Sequence, residues 1–419
     1  MNLFLSAMHG FEITSLLPIV ILLSISAIIP VILLALKIKF IPVFVLEIIA
    51  GILLASFSSK ELFLFEGHLS PLSSGLYVVG MGILLFLSGI DSDFDIIKES
   101  RKKHSIRITR LTDLFLIGVI ILSILCSLLF TRYMENKVVG VILLTIVFSS
   151  TFASIVIPTL HTENLCHTTI GKIISNYSTK SELLSIVALS ILMIVLSLSH
   201  EQKPWLLTIL VICLVLMYIF TRYLKLNKFK KISDGVVHFS VRAMIAILIG
   251  LMILCSVSGV EYILGAFLAG MVIKSTKLND NNLHKFEAIG YGIFVPMFYI
   301  LVGFRVGLMM PIQEIFHLDN LLLILALFGV LVLVKIPFMY LIKWFKLSTV
   351  IQTTVFVACT LIVAIAAEEF GVFTEQFCNA LIVASCLTCI IPPILFDITK
   401  RFGYSRNEND EKIENPHEA

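Results

Sequence analysis

The chain has 419 residues, 58% hydrophobic and 14% charged, with a net charge of +3. An ordinary soluble domain is about 45–50% apolar and about 25% charged, so this composition excludes a soluble globular protein, a disordered chain and a nucleic-acid binder. What remains is a chain built for lipid, in which each charge inside an apolar run needs an explanation.

A helix that crosses a bilayer needs about 20 apolar residues, and hydropathy divides the chain into about 13 such runs. In order they cover 15–36, 40–57, 72–90, 111–130, 138–160, 169–199, 204–222, 237–257, 259–274, 287–310, 319–345, 349–370 and 377–398. The loops between them are short, so the expectation is one all-α polytopic membrane domain over 1–400. A polar tail over 401–419 is predicted to lack fixed structure. Met1 to Thr14 contains no Lys or Arg and so lacks the basic start of a cleavable signal, which leaves insertion to the first span. Cys386 and Cys389 have CxxC spacing but no matching His or Cys cluster, and they read as packing.

Loop charges set the orientation. With the N-terminus outside, 22 of the 31 Lys and Arg fall in inner loops, while Lys60, Arg132, Lys137 and Lys203 fall outside. The predicted topology is therefore N-terminus outside and C-terminus cytoplasmic, in a plasma or inner membrane. Lys172, Lys180, Arg242, Arg305 and Lys335 remain to be explained.

The sequence also echoes itself. Ala50-Gly51 in the second span matches Ala269-Gly270 in the ninth, 219 residues later. Leu85 to Phe94, around Gly89, resembles Tyr299 to Leu308, around Gly303, at an offset of 214. Both echoes step by seven spans, and an odd step turns the second copy upside down. An inverted repeat of this kind places a transport site near the membrane midplane where the two copies meet.

Polar residues concentrate in the sixth span. Lys172, Ser175, Asn176, Thr179 and Glu182 recur every three or four residues and are predicted to share a helical face. Glu182 falls about 20 Å along a span of about 45 Å, near the membrane centre. A carboxylate there needs a partner or a water-filled cavity, and a proton and a cation can compete for its oxygens. The bland alternative is a hydrogen-bonded Glu that locks helices together. Lys335, in the eleventh span ahead of Pro337, is also central, at about 24 Å along a span of about 40 Å. Arg305 lies nearer the outer end of the tenth span and reads as a structural salt-bridge partner. Ser149, Ser150, Thr151 and Ser154, followed by Pro158, suggest a locally broken fifth span whose carbonyls and hydroxyls could ligate a small cation. The alternative is that these hydroxyls bond back to their own helix. In the twelfth span Glu368 and Glu369 lie near the outer end, where solvation explains them. Glu47, Asp91 and Asp93 lie near cytoplasmic ends and read as helix-end or surface residues.

Several stretches, spread over much of the chain, resemble the monovalent cation:proton antiporter superfamily, in the branch of NapA-like and Kef-type exchangers. They are the run from Pro42 through Glu47 to Gly51, Phe86-Leu-Ser-Gly89, Ser149 through Pro158, Leu264 to Gly270, and Pro296 to Gly303. The resemblance implies an NhaA/NapA-like inverted-repeat fold with crossed, broken fifth and twelfth helices, working as an elevator and usually dimeric. Scaffold helices would lie in 15–90 and 237–310, core helices in 111–199 and 319–398, and a linker helix in 204–222. The family's acidic pair falls on Ser181-Glu182 and its midmembrane cation on Lys335. This chain departs by keeping one carboxylate of the pair, a Glu one methylene longer than Asp.

The implied activity is exchange of a monovalent cation, Na+ or K+, for protons, without enzymatic chemistry or a cofactor. Glu182 would bind cation and proton in turn, with Ser150, Thr151 and Ser181 as neutral ligands and Lys335 as charge partner. Arg305, Asn176 and Ser154 are secondary candidates. The partners implied are the cation, the proton, the lipid bilayer and a second copy of the chain, with no nucleic acid. The rival readings are a Kef-like gated potassium efflux path and a non-transporting membrane sensor or assembly partner with a degenerate ion site.

Overall fold

A computed structural model describes residues 16–35, 43–56, 63–65, 68–91, 103–151, 156, 169–199, 239–257, 262–275, 280–309, 317–335, 372–374, 376–388 and 391. Its helices are α1 (Leu17–Ala35), α2 (Val43–Ser56), α3 (Pro71–Asp91), α4 (Lys103–Ser127), α5 (Lys137–Ser149) and α6 (Thr169–Ser199). They continue as α7 (Phe239–Val257), α8 (Tyr262–Ser275), α9 (Asp280–Ile289), α10 (Val295–Met309), α11 (Leu318–Leu333) and α12 (Gln376–Thr388). A two-residue antiparallel ladder, β1 (Leu64–Phe65) with β2 (His68–Leu69), precedes α3. The seventh and twelfth spans and the tail over 401–419 lie outside the described residues.

Helix limits follow the sequence except where a polar or proline signal intervenes. The sixth span runs over 169–199 as expected. The fourth begins earlier, at Lys103, because its first turns are basic and carry no hydropathy signal. The fifth breaks at Ser150, within the span expected over 138–160. The first helix of the eleventh span ends at Leu333, and residues 336–345 lie outside the described residues. There Pro337 has no N–H for the Leu333 carbonyl, which is where an α-helix would have needed one. A π turn over Gly290–Phe294 joins α9 to α10, with the Val295 N–H reaching back to the Gly290 carbonyl. Pro296 removes the donor that Gly292 would otherwise have met, and this favours the wider turn.

Two helix crossings organise one half of the molecule. A Cβ built on Gly51 of α2 would strike the Ile300 carbonyl of α10, and one on Gly303 would strike the Ile48 carbonyl of α2. The same reciprocal pattern joins α3 to α8, with Gly270 against the Phe86 carbonyl and Gly89 against that of Phe267. Adding 219 to 48 and 51 gives 267 and 270, and adding 214 to 86 and 89 gives 300 and 303. The α2/α10 crossing therefore recurs, partner for partner, as α8/α3. Only glycine permits such backbone approach, and close approach is a main source of packing between helices in lipid.

The other half is built on α4, α5 and α6, which pack on one another. The turn between α4 and α5 is tied to the start of α12: Glu135 donates to the Val372 carbonyl at 3.0 Å and Thr374 to that of Tyr133 at 3.1 Å. The Tyr133 and Phe377 rings stack there at 5.2 Å. Helix α6 also packs against α8, joining the two halves. Outward faces are apolar. Leu34 is 84% exposed and Leu114 66%, an arrangement suited to hydrocarbon and not to water.

Candidate functional site

The site begins where α5 ends. Ser150 has extended backbone (φ −70°, ψ 158°), so the helix stops inside the apolar layer. The Ser149 hydroxyl donates to the Ile146 carbonyl at 3.2 Å, and that of Ser150 to the Val147 carbonyl at 2.8 Å. Hydroxyls bonded back to their own helix thus form the break, and what this end offers its surroundings is the carbonyls of Ser149 and Ser150. A helix C-terminus carries partial negative charge and unmet carbonyls.

Both carbonyls are met by predicted residues or their neighbours. Lys335 is fully buried just past the C-terminus of α11, and its Nζ donates to the Ser150 carbonyl at 2.7 Å. One ammonium therefore sits at the ends of two helices, α5 and its own, the place where the macrodipole favours a cation. It occupies a turn after the helix rather than a helical face in mid-span. Ser181 of α6 donates to the Ser149 carbonyl at 2.7 Å, and Tyr177, one turn earlier, to the same oxygen at 3.3 Å.

Glu182 is 3% exposed on the unbroken α6. Its Oε2 accepts a 2.8 Å hydrogen bond from Ser88 of α3, itself 3% exposed. Ser178, one turn before Glu182 on the same face, is fully buried, and its Oγ has no hydrogen-bond partner among the described residues. Ser150, Ser181 and Lys335 thus meet around the break in α5, next to Thr151, while Glu182 follows Ser181 on α6 and its Oε2 is held by Ser88 of α3.

Two of the secondary candidates, Asn176 and Arg305, stand apart from this group. Asn176 is buried, but it stands about 120° around α6 from Glu182. The Arg305 guanidinium lies 5.2 Å from the centre of the Tyr77 ring, in the packing of α10 on α3. Ser154 and the side chain of Lys172 lie outside the described residues. Lys180 bonds Asp113 of α4 at 2.6 Å, and Arg242 is exposed near the start of α7. Glu47 differs from expectation: it is 3% exposed, one turn into α2, where the crossing with α10 covers what hydropathy marks as a helix end.

Sequence reasoning missed Ser88 and Tyr177. Tyr177 stands four residues before Ser181, a helical spacing that could have marked it. Ser88 lies in the Phe86-Leu-Ser-Gly89 stretch that resembles the family, but nothing local marked it as a partner of Glu182, 94 residues away.

Residues 21–397 match the protein family described as "Sodium/hydrogen exchanger, transmembrane". The chain belongs to the sodium/hydrogen exchanger family. Its relatives include the "Putative Na(+)/H(+) antiporter YjbQ" of Bacillus subtilis, 29% identical over 384 residues. That alignment covers 88% of this chain and 60% of the relative, so the chain spans somewhat over half of that protein's length. The "Probable Na(+)/H(+) antiporter 3" of Methanocaldococcus jannaschii is 26% identical over 331 residues, covering 75% of this chain and 81% of that one. The solved structure of the sodium proton antiporter MjNhaP1, from the same archaeon, superposes with a TM-score of 0.56 at 14% identity, covering 92% of this chain and 96% of that one. An exchanger-family chain with this helical fold is a multi-pass membrane protein. Its family is one of transporters, not enzymes.

Proposed function

We propose that this protein exchanges a monovalent cation for protons across its membrane, with Glu182 as the shared binding group. The observation that carries this reading is a carboxylate 3% exposed on an unbroken membrane helix, next in the chain to Ser181, which bonds the broken end of α5. Such a charge is costly unless neutralised, and a proton and a metal cation neutralise it in mutually exclusive ways. Exclusion at one carboxylate is enough to couple the two flows. Thr151, Ser178, Ser181 and Ser150 supply neutral oxygens, and Lys335 holds the helix ends together. Carboxylate, hydroxyl and carbonyl oxygens accept either Na+ or K+. The names of the relatives put Na+ first.

The repeated crossing of α2/α10 and α8/α3 supports an inverted repeat, and with it about 13 spans divided into scaffold and core. In this reading 15–90 and 237–310 form the scaffold, 111–199 and 319–398 the core, and 204–222 the linker, with 401–419 as a cytoplasmic tail. The core moves as an elevator against the scaffold, the protein is a homodimer, and the N-terminus faces outside. No cofactor enters the scheme.

The test is proton flux in everted vesicles, followed with a pH-sensitive dye on addition of Na+, K+ or Li+. The wild type is expected to show cation-evoked proton movement, and Glu182→Gln to lose it. Equal flux in both proteins would remove Glu182 from the site.

A further inference from the structure

We propose that Ser88 is a positioning residue that latches Glu182 to the α3/α8 crossing. The inference rests on the exchanger reading in taking Glu182 as the exchanging group. Its own basis is the bond from Ser88 Oγ to Glu182 Oε2, at 2.8 Å between two buried side chains.

A serine in an apolar helix has a ready acceptor in the carbonyl three or four residues back. Ser24, Ser26, Ser56, Ser123, Ser149, Ser150 and Ser385 all use that acceptor. Ser88 instead donates to a carboxylate on another helix. A bond to a charged acceptor is about twice as strong as a neutral one, which accounts for the choice.

The backbone that carries Ser88 is fixed. Gly89 next to it meets the Phe267 carbonyl, Phe86 offers its carbonyl to Gly270, and the Phe86 ring packs on Phe286 at 4.8 Å. The donor therefore sits on a rigid crossing outside the α4/α5/α6 group, while its acceptor sits on α6. The bond fixes the carboxylate's rotamer in the arrangement seen, and it must open whenever α6 moves relative to α3. The length of Glu matters here, because Asp is one methylene shorter and would draw the carboxylate back from Ser88.

The latch is tested by kinetics and by a double-mutant cycle on the full chain. In vesicles, Ser88→Ala is expected to raise the apparent KM for the cation about three- to tenfold without lowering Vmax, and Ser88→Thr to restore KM. An unchanged KM, a fall in Vmax alone, or failure of Thr to rescue would overturn the proposal. In detergent, melting is compared for wild type, Ser88→Ala, Glu182→Asp and the double variant. Ser88→Ala is expected to lower the melting temperature beside Glu182 and to have little effect in the Glu182→Asp background. Additive effects would overturn the latch. A wild type without cation-evoked proton flux would instead overturn the exchanger reading, and the melting cycle would still report on the bond.

Discussion

At the α2/α10 and α3/α8 crossings, helices approach until a methyl group in place of a glycine hydrogen would meet a backbone carbonyl. At the ends of α5 and α11, helices stop short, and the carbonyl of Ser150 is met by an ammonium in place of a backbone N–H. In the crossings the closest approaches are of glycine to a neighbouring backbone carbonyl, so shape sets the geometry there. Around the break, geometry is set by donors and acceptors that can be exchanged. Shape gives rigidity and repeats under a fixed residue offset. Exchangeable partners give a place where an ion can substitute for a protein group.

The largest expected effect is on the crossings. Gly303→Val and Gly89→Val each force a branched side chain against a carbonyl, where no flexible atom can yield. The cost should lie at or above the top of the usual range of about 1–3 kcal/mol for overpacking. Both variants are expected to give little monodisperse protein in detergent. Because the crossings match partner for partner, they should fail to a similar degree. Normal yield from one and none from the other would break the equivalence drawn from the 219- and 214-residue offsets.

A smaller effect is expected at Lys335. Lys335→Ala leaves the Ser150 carbonyl unmet and a cavity where a buried stem stood, a loss of about 2–4 kcal/mol. Lys335→Met keeps the stem and removes only the charge, so it should recover part of that loss. Differential scanning fluorimetry in detergent reads both. If Lys335→Met melted like wild type, the ammonium would not be what holds the α5 and α11 ends together, and the contrast between the two regions would weaken.

Different kinds of signal made different parts of this molecule legible in the sequence. Apolar run length located the helices, because burial in lipid demands it of each span separately. The glycine echoes, read as a repeat, proved to mark the residues of both crossings, though they did not say which helices touch. Glu182 and Lys335 stood out because charge is rare in such runs. The sequence did not reveal which groups meet. Spacing put Thr179 on the face of Glu182, yet Thr179 is only half-buried, and the buried polar face runs through Ser178, Ser181, Glu182 and Ser185. The break in α5 was legible from its run of hydroxyls ahead of Pro158, but hydropathy alone does not register where a helix ends inside an apolar run. The role of Ser88 inside its motif was not legible for a related reason. A serine beside glycine looks alike whether it bonds its own helix or reaches across the molecule.

The smallest effect separates open glycines from packed ones. Gly250 is exposed in the interior of α7, with nothing near where a Cβ would stand, whereas a Cβ on Gly265 of α8 would meet the Leu251 carbonyl of α7. Alanine is favoured over glycine in a helix interior by about 0.8–1.0 kcal/mol when nothing opposes it. Gly250→Ala is therefore expected to raise the melting temperature by about 1–3 °C. Gly265→Ala, the same chemical change on the neighbouring helix, should lower it. The opposite signs follow from approach distance alone. If both variants shifted the same way, close backbone approach between α7 and α8 would not be what Gly265 provides.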